Sequence, residues 1–208
     1  MLEKIPHWLG QALVNVRAGH DKLMIATLDL DGVESLSLSS TAFAPGGRLP
    51  ERFTADGEGV SPPLAWGGLP SGARSLALIV EDPDAPTPQP MVHAIVIDID
   101  PALGGLAEGT IRPDGMGGPD KNVGKNSGLS ESWLPPDPPT GHGSHDYVFQ
   151  LLALGPGQGS QDASPGRGGF KDYIAGRVLA AAALVGTYSR GEEADVGLSE
   201  PVATVAPA

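Results

Sequence analysis

No cysteine occurs among the 208 residues of the chain. Disulfides, thiolate nucleophiles and cysteine-ligated metals are thereby excluded together. Aromatic residues are scarce at 5%. Charged residues, at 18%, are too few for a charge-driven disordered chain. Long hydrophobic runs are also missing. The longest strongly apolar stretch, Val178 to Val185, has eight residues and cannot span a bilayer. Positive charge is in short supply, with 13 Lys and Arg against 25 Asp and Glu and a net charge of −12. Such a surface repels nucleic-acid phosphates and anionic lipid headgroups, so neither nucleic acid nor stable membrane insertion is expected. One small dipolar pocket for an anion remains compatible with it. The first residues, Met1-Leu2-Glu3-Lys4-Ile5-Pro6-His7-Trp8, lack the basic and unbroken apolar regions of a secretory signal, and a cytoplasmic protein is the expectation.

What the chain has in quantity is Gly (30) and Pro (21), about a quarter of all residues. They cluster between clean apolar runs, as the turns of a loop-rich fold do. Residues 5–18 read as a short helix, with Trp8, Leu9, Leu13 and Val16 at helical spacing and Gly19 as its stop. Ser35 to Ser39 alternates as a half-buried strand does. Ser75–Val80, Val92–Ile99 and Tyr147–Leu154 are apolar on both faces, as strands in the middle of a sandwich are. A loop of about 40 residues, Gly104 to Ser144, shows little periodicity. The alanine run Ala180–Ala183 predicts a second helix over 172–188. The organisation expected is an N-terminal helical extension (1–34), a β-sandwich domain (35–190) and an acidic tail (191–208).

Strand parity places chemistry at one rim. Side chains alternate along a strand, so Asp82 extends the face of Leu76, Leu78 and Val80, and His145 shares a face with Tyr147 and Phe149. The same rule sets His93 with Ile95 and Ile97, and turns Asp146 away from His145. If the three strands are neighbours, Asp82, His93, His145 and Tyr147 converge on a pocket with an apolar floor, as small-ligand sites have. Asp82-Pro83-Asp84-Ala85-Pro86 adds two carboxylates held on a backbone stiffened by two prolines. Adjacent carboxylates repel unless a cation or imidazolium compensates.

These residues fall in a familiar order. Phe53-Thr54-Ala55-Asp56-Gly57 is followed by Ser61-Pro62-Pro63-Leu64-Ala65-Trp66, then by Asp82-Pro83-Asp84-Ala85-Pro86 and His93. Gly124-Lys125-Asn126 and Gly141-His142-Gly143-Ser144-His145-Asp146-Tyr147 come later. Over Leu36 to Arg190 the chain resembles the phosphatidylethanolamine-binding protein family, in its bacterial Raf-kinase-inhibitor-like branch. The resemblance implies a mainly β fold, a sandwich of two antiparallel sheets with a few peripheral helices. It implies an anion pocket formed by Asp82, Pro86, His93, His145 and Tyr147, with Asp84 in the supporting loop. The ligand implied is a small anion or phosphorylated headgroup, whose oxygens the imidazoles and the phenol would meet as donors. No cofactor, metal or catalytic residue is implied. A kinase or protease partner modulated through the rim, and a homodimer using the N-terminal helix, complete the expectation.

Three departures stand out. The family commonly reads His-Arg-Tyr where this chain has His145-Asp146-Tyr147, a change of two charge units. If the Arg pairs with a loop carboxylate, Asp84 needs another partner here. His93 is flanked by Val92 and Ala94 rather than by an aromatic, and Asp137 stands where a small residue is usual. Plainer roles are open for each residue: a turn for Asp82 and Asp84, a satisfied buried ring for His93, a core phenol for Tyr147, and a solvent-facing position for His7, His20 and His142. A hydrolase using a His/Asp pair and an interaction domain with a decayed pocket are the alternative functions. Against hydrolysis, Gly-x-Ser-x-Gly and the phosphate loop GxxxxGK[ST] are both absent. No His pair has the helical spacing of a zinc site.

Overall fold

The computed structural model describes residues 13, 15–29, 31–112, 122–157 and 164–190. The acidic tail lies outside them, as do nine of the fourteen residues of the expected helix over 5–18, and of the remainder Val16, Arg17 and Ala18 are not helical. Among the described residues there are eight strands: β1 (Glu34–Ser35), β2 (Ser37–Ser39), β3 (Leu64–Gly67), β4 (Ser75–Asp82), β5 (Met91–Ile99), β6 (Gly105–Leu106), β7 (His145–Leu154) and β8 (Val178–Tyr188). They form a five-stranded sheet, β1-β8-β7-β4-β5, and a three-stranded sheet, β2-β3-β6. Pairing is antiparallel throughout, except where β1 runs parallel to β8. The fold is mainly β, as the sequence implies.

The three doubly apolar runs are β4, β5 and β7, buried on both faces of the large sheet. One face carries Leu78, Val80, Val96, Phe149 and Leu151 against Leu36, Leu64 and Leu106 of the small-sheet side. The other face carries Ala77, Ile79, Ile95, Ile97 and Leu152, covered by Met24 and by Phe170 and Ile174 of the α-helix Arg167–Ile174. At about 25 cal/mol per Å² of apolar surface removed from water, this two-sided burial is the main source of stability. β5 is the last named strand of its sheet, yet its edge is covered. Ile97 N donates to Asn122 O at 2.8 Å, and Gly124 N donates to Ile95 O at 2.9 Å.

Two expected elements differ. The alternating stretch Ser35–Ser39 is not one strand. Leu36, buried, is the crossing point, with Glu34–Ser35 in the large sheet and Ser37–Ser39 in the small one. The second helix is shorter and earlier than alanine propensity predicts. It ends by Gly176, which takes φ +68°, a conformation that costs glycine nothing. Ala180 to Ala183 instead pair with Ala153 to Gln150 of β7. Intrinsic propensity is a few tenths of a kcal/mol per residue and yields to a ladder with partners on both sides.

The polar inside of the outer layer is also paired. Glu81, fully buried, accepts from Arg167 Nε (2.6 Å), Gln150 Nε2 (2.8 Å) and Met24 N (2.6 Å). Arg167 also donates to the Lys22 carbonyl. Among the described residues no helix is long and apolar enough to cross a membrane.

Candidate functional site

Strands β4, β5 and β7 are neighbours, so their polar ends meet at one rim. A cavity of about 260 Å³ opens there, lined by Asp82, Pro86, His93, His145 and Tyr147 among others. Asp84 is the one expected site residue that does not line it. Most of the wall is apolar, from Met91, Leu134, Pro135, Pro138 and Pro139.

His93 arrives by a route that parity alone misses. Val80 pairs with Ala94 and Glu81 with Val92, so His93 has no opposite residue and forms a bulge. The bulge turns its ring off the Ile95/Ile97 face and onto Tyr147, edge-on at 5.0 Å between ring centroids. Trp133 lies 6.1 Å from the same ring. The aromatic neighbour missing from Val92 and Ala94 is thus supplied by the long loop. His93 Nδ1 donates to the Leu134 carbonyl at 2.6 Å. Burial pushes the imidazole below its ordinary pKa against the pull of the Asp82 carboxylate. Among the described residues its Nε2 has no hydrogen-bond partner, and neither has the buried Tyr147 hydroxyl. Burial holds that phenol far above its ordinary range, so it keeps its hydrogen.

Asp82 has both of the roles open to it. Oδ1 accepts from Asp84 N (2.8 Å) and Ala85 N (3.0 Å), closing the turn, while Oδ2 accepts from His145 Nδ1 (2.8 Å). His145 Nε2 is occupied as well, 2.7 Å from His142 Nδ1. His142 is fully buried rather than a surface residue, and its Nε2 donates to the Leu13 carbonyl at 2.7 Å. The sequence placed both histidines in one Gly-His-Gly-Ser-His motif. The signal for His142 was the glycines around it: Gly141 (φ +83°) and Gly143 (φ +95°) adopt backbone that few other residues tolerate. That tight chain folds His142 back onto His145. With both nitrogens engaged, His145 offers no donor to a guest, contrary to the expectation that both imidazoles would.

Asp84 finds its partner in the N-terminal segment. Arg17 forms an ion pair with its Oδ1, and Asp146 N donates to its Oδ2 at 2.7 Å. Ala18 N and Gly19 N donate to Ala85 O (3.0 Å) and Pro83 O (2.9 Å), so the N-terminal segment runs along the whole Asp-Pro-Asp-Ala-Pro loop. The Asp146 carboxylate turns outward to exposed His20 at 3.1 Å. Asp137 lines the cavity but is paired with Arg190, which also grips Asp56. The hydrogen bonds from Arg190 hold the Asp56 carboxyl below its ordinary pKa. The loop holding this wall is built by Asn126. Its side chain accepts from Gly128 N (2.8 Å) and Ser130 N (3.2 Å) and donates to Ser132 O (2.8 Å).

Residues 39–189 match the phosphatidylethanolamine-binding protein family. A protein of Methanothermobacter thermautotrophicus, named only UPF0098 protein, is 39% identical over 163 residues, 75% of this chain and 100% of its own. The solved structure of a phosphatidylethanolamine-binding protein homologue from Chlamydia trachomatis superposes with a TM-score of 0.65 at 30% identity, covering 76% of this chain and 99% of that one. Escherichia coli YbcL superposes with a TM-score of 0.67 at 25% identity, covering 74% and 98%.

Proposed function

The chain belongs to the phosphatidylethanolamine-binding protein family, and from that footing we propose that it is a ligand-binding protein holding a small anion or phosphorylated headgroup in the cavity at Asp82, His93 and Tyr147. One observation carries the reading. His93 Nε2 and the Tyr147 hydroxyl are buried without partners in residues that line one cavity. Buried polar atoms left unsatisfied cost about 1–3 kcal/mol each, a cost a guest would relieve. The apolar wall suits a guest with a carbon skeleton behind its polar head.

The two acidic departures do not put bare charge into the cavity. Asp137 is neutralised by Arg190, and Asp146 points away toward His20. A hydrolase reading has less support, because the nitrogen of His145 that would serve as base is held by His142. Modulation of a kinase or protease partner at the rim, self-association and a cytoplasmic location belong to the same proposal. Self-association is read by light scattering at micromolar concentration.

Thermal unfolding with and without phosphoethanolamine tests the binding. A ligand at a hundred times its dissociation constant stabilises by about 2.7 kcal/mol, and the melting temperature rises accordingly. The rise disappears in Tyr147→Phe. A melting temperature unmoved by phosphoethanolamine, phosphate and acetate counts against the proposal.

A further inference from the structure

Resting on that reading, we infer that the cavity takes its acidic guest in a hydrogen-bearing form. The group that reaches His93 donates a hydrogen bond to Nε2, so a phosphate monoester in its monoprotonated state is accepted. A sulfate ester or a phosphodiester, which has no acidic hydrogen left to give, is rejected.

A carbonyl oxygen only accepts hydrogen bonds, and that of Leu134 stands 2.6 Å from His93 Nδ1. Nδ1 therefore carries the ring hydrogen, and in the neutral ring Nε2 presents a lone pair. A second proton on this ring would have to survive full burial. Around it stand the carboxylates of Asp82 at the end of β4 and Asp137 in the loop, which favour that proton, and His145 on β7, which opposes it. Desolvation outweighs the carboxylates, and the ring stays an acceptor.

No Lys or Arg is among the described residues lining the cavity. The two carboxylates of the wall, Asp82 and Asp137, already engage His145 and Arg190, so a doubly charged guest finds no unpaired cation among the described lining residues. The other unpartnered group, Tyr147, keeps its hydrogen and can donate it. The two groups make a complementary pair, one acceptor and one donor. A P–OH group meets the first and a phosphoryl oxygen meets the second. A sulfate or diester oxygen would face the Nε2 lone pair with a lone pair of its own. Sites built to bond a substrate hydrogen reject analogues lacking it by as much as about 10⁴-fold. The class named is the free phosphate monoester, as distinct from the diester group of an intact phospholipid.

Titration calorimetry on the full chain decides the matter, with phenyl phosphate, phenyl sulfate and phenyl methyl phosphate at pH 6 and pH 8. Phenyl phosphate binds at pH 6 at least about tenfold more tightly than the sulfate and the diester. Its affinity falls by up to about tenfold per pH unit above the ester's second pKa of roughly 6. In paired buffers of different ionisation enthalpy, its binding at pH 8 takes up close to one proton. His93→Gln, whose amide can offer N–H in place of the lone pair, narrows the gap between phosphate and sulfate. The wild-type comparison stands by itself if that variant melts early. Equal binding of the three probes at pH 6, or a phosphate affinity unchanged between pH 6 and 8, overturns this inference and leaves the pocket as an anion site. Failure of every probe to bind the folded protein at either pH overturns both.

Discussion

His142 Nδ1 and His145 Nε2 stand 2.7 Å apart, and a hydrogen must lie between them, because two bare lone pairs do not approach so closely. The outer partners fix where it sits. Leu13 O forces a hydrogen onto His142 Nε2, and burial together with the neighbouring His145 holds the pKa of His142 down. His142 is thus the neutral acceptor and His145 Nε2 donates to it, while His145 Nδ1 faces the Asp82 carboxylate. Asp82, His145, His142 and the Leu13 carbonyl form one row in which each proton has a single place.

Acidification destabilises the fold through two buried rings, His142 of this row and His93 of the cavity. His93 and His142 both titrate below the ordinary histidine value in the folded chain, so the unfolded chain binds protons that the folded one refuses. The stability gained by keeping them neutral is whole above about pH 6.5 and drains away as pH falls from there toward their folded values. Urea midpoints taken at pH 7.5, 6.5 and 5.5 descend in that order. His142→Gln flattens the descent. A midpoint that climbs on acidification contradicts the assignment.

Arg17 is the charge that keeps Asp84 buried. Removing it by Arg17→Ala leaves a carboxylate in the loop with one backbone donor and costs about 1–3 kcal/mol. Asp146→Arg puts back the residue the family favours. The carboxylates of Asp84 and Asp146 and the His20 ring have atoms within 4.8 Å of one another, so an Arg at 146 reaches Asp84. A double-mutant cycle gives a smaller loss for Arg17→Ala in the Asp146→Arg background. Additive losses would separate the two positions.

The glycine of Gly124-Lys125-Asn126 is there for lack of space. A Cβ on it would press on the Pro165 carbonyl oxygen and come within 2.6 Å of Ile95 Cγ2. Gly124→Ala forces the covering segment off β5 and costs about 1–3 kcal/mol, read as a lower urea midpoint. Gly166→Ala, which meets nothing within 4 Å, is the matched control and stays near wild type.

The strands were legible because their evidence is local. Runs of six to eight residues dominated by Val, Ile, Leu and Ala, apolar on both faces, have few places to go but a covered sheet, and β4, β5 and β7 are built on those runs. Parity carried Asp82, His145 and Tyr147 to the right rim for the same reason. It failed at His93, because a bulge belongs to the pairing of two strands and leaves no mark on either alone. The alanine run failed differently. Its weak helical preference was clear, and the partners that override it, β1 and β7, are distant in sequence. His142 was passed over because its burial depends on Leu13, and Arg17 because nothing in its own surroundings points to Asp84, 67 residues further on.

Glu81 tests how far the outer layer depends on one carboxylate. It has three donors and no exposure. Glu81→Ala takes the acceptor from Arg167, Gln150 and the Met24 amide at once and costs about 3–5 kcal/mol. Glu81→Leu, which fills the space, loses less if Arg167→Met accompanies it. Chemical denaturation of the single and double variants ranks them, and an isolated Glu81→Ala with wild-type stability refutes the role.

The segment from Leu13 to Ile25 precedes the family match at residue 39, yet the domain leans on it. Leu13 O caps His142, Arg17 neutralises Asp84, Met24 N meets Glu81, and Ile25 N donates to Gln150 at 2.7 Å. A recombinant fragment trimmed to the homologous boundary would strip a histidine, two carboxylates and an amide of their companions in one stroke. Expression vectors for this domain must therefore begin upstream of Leu13.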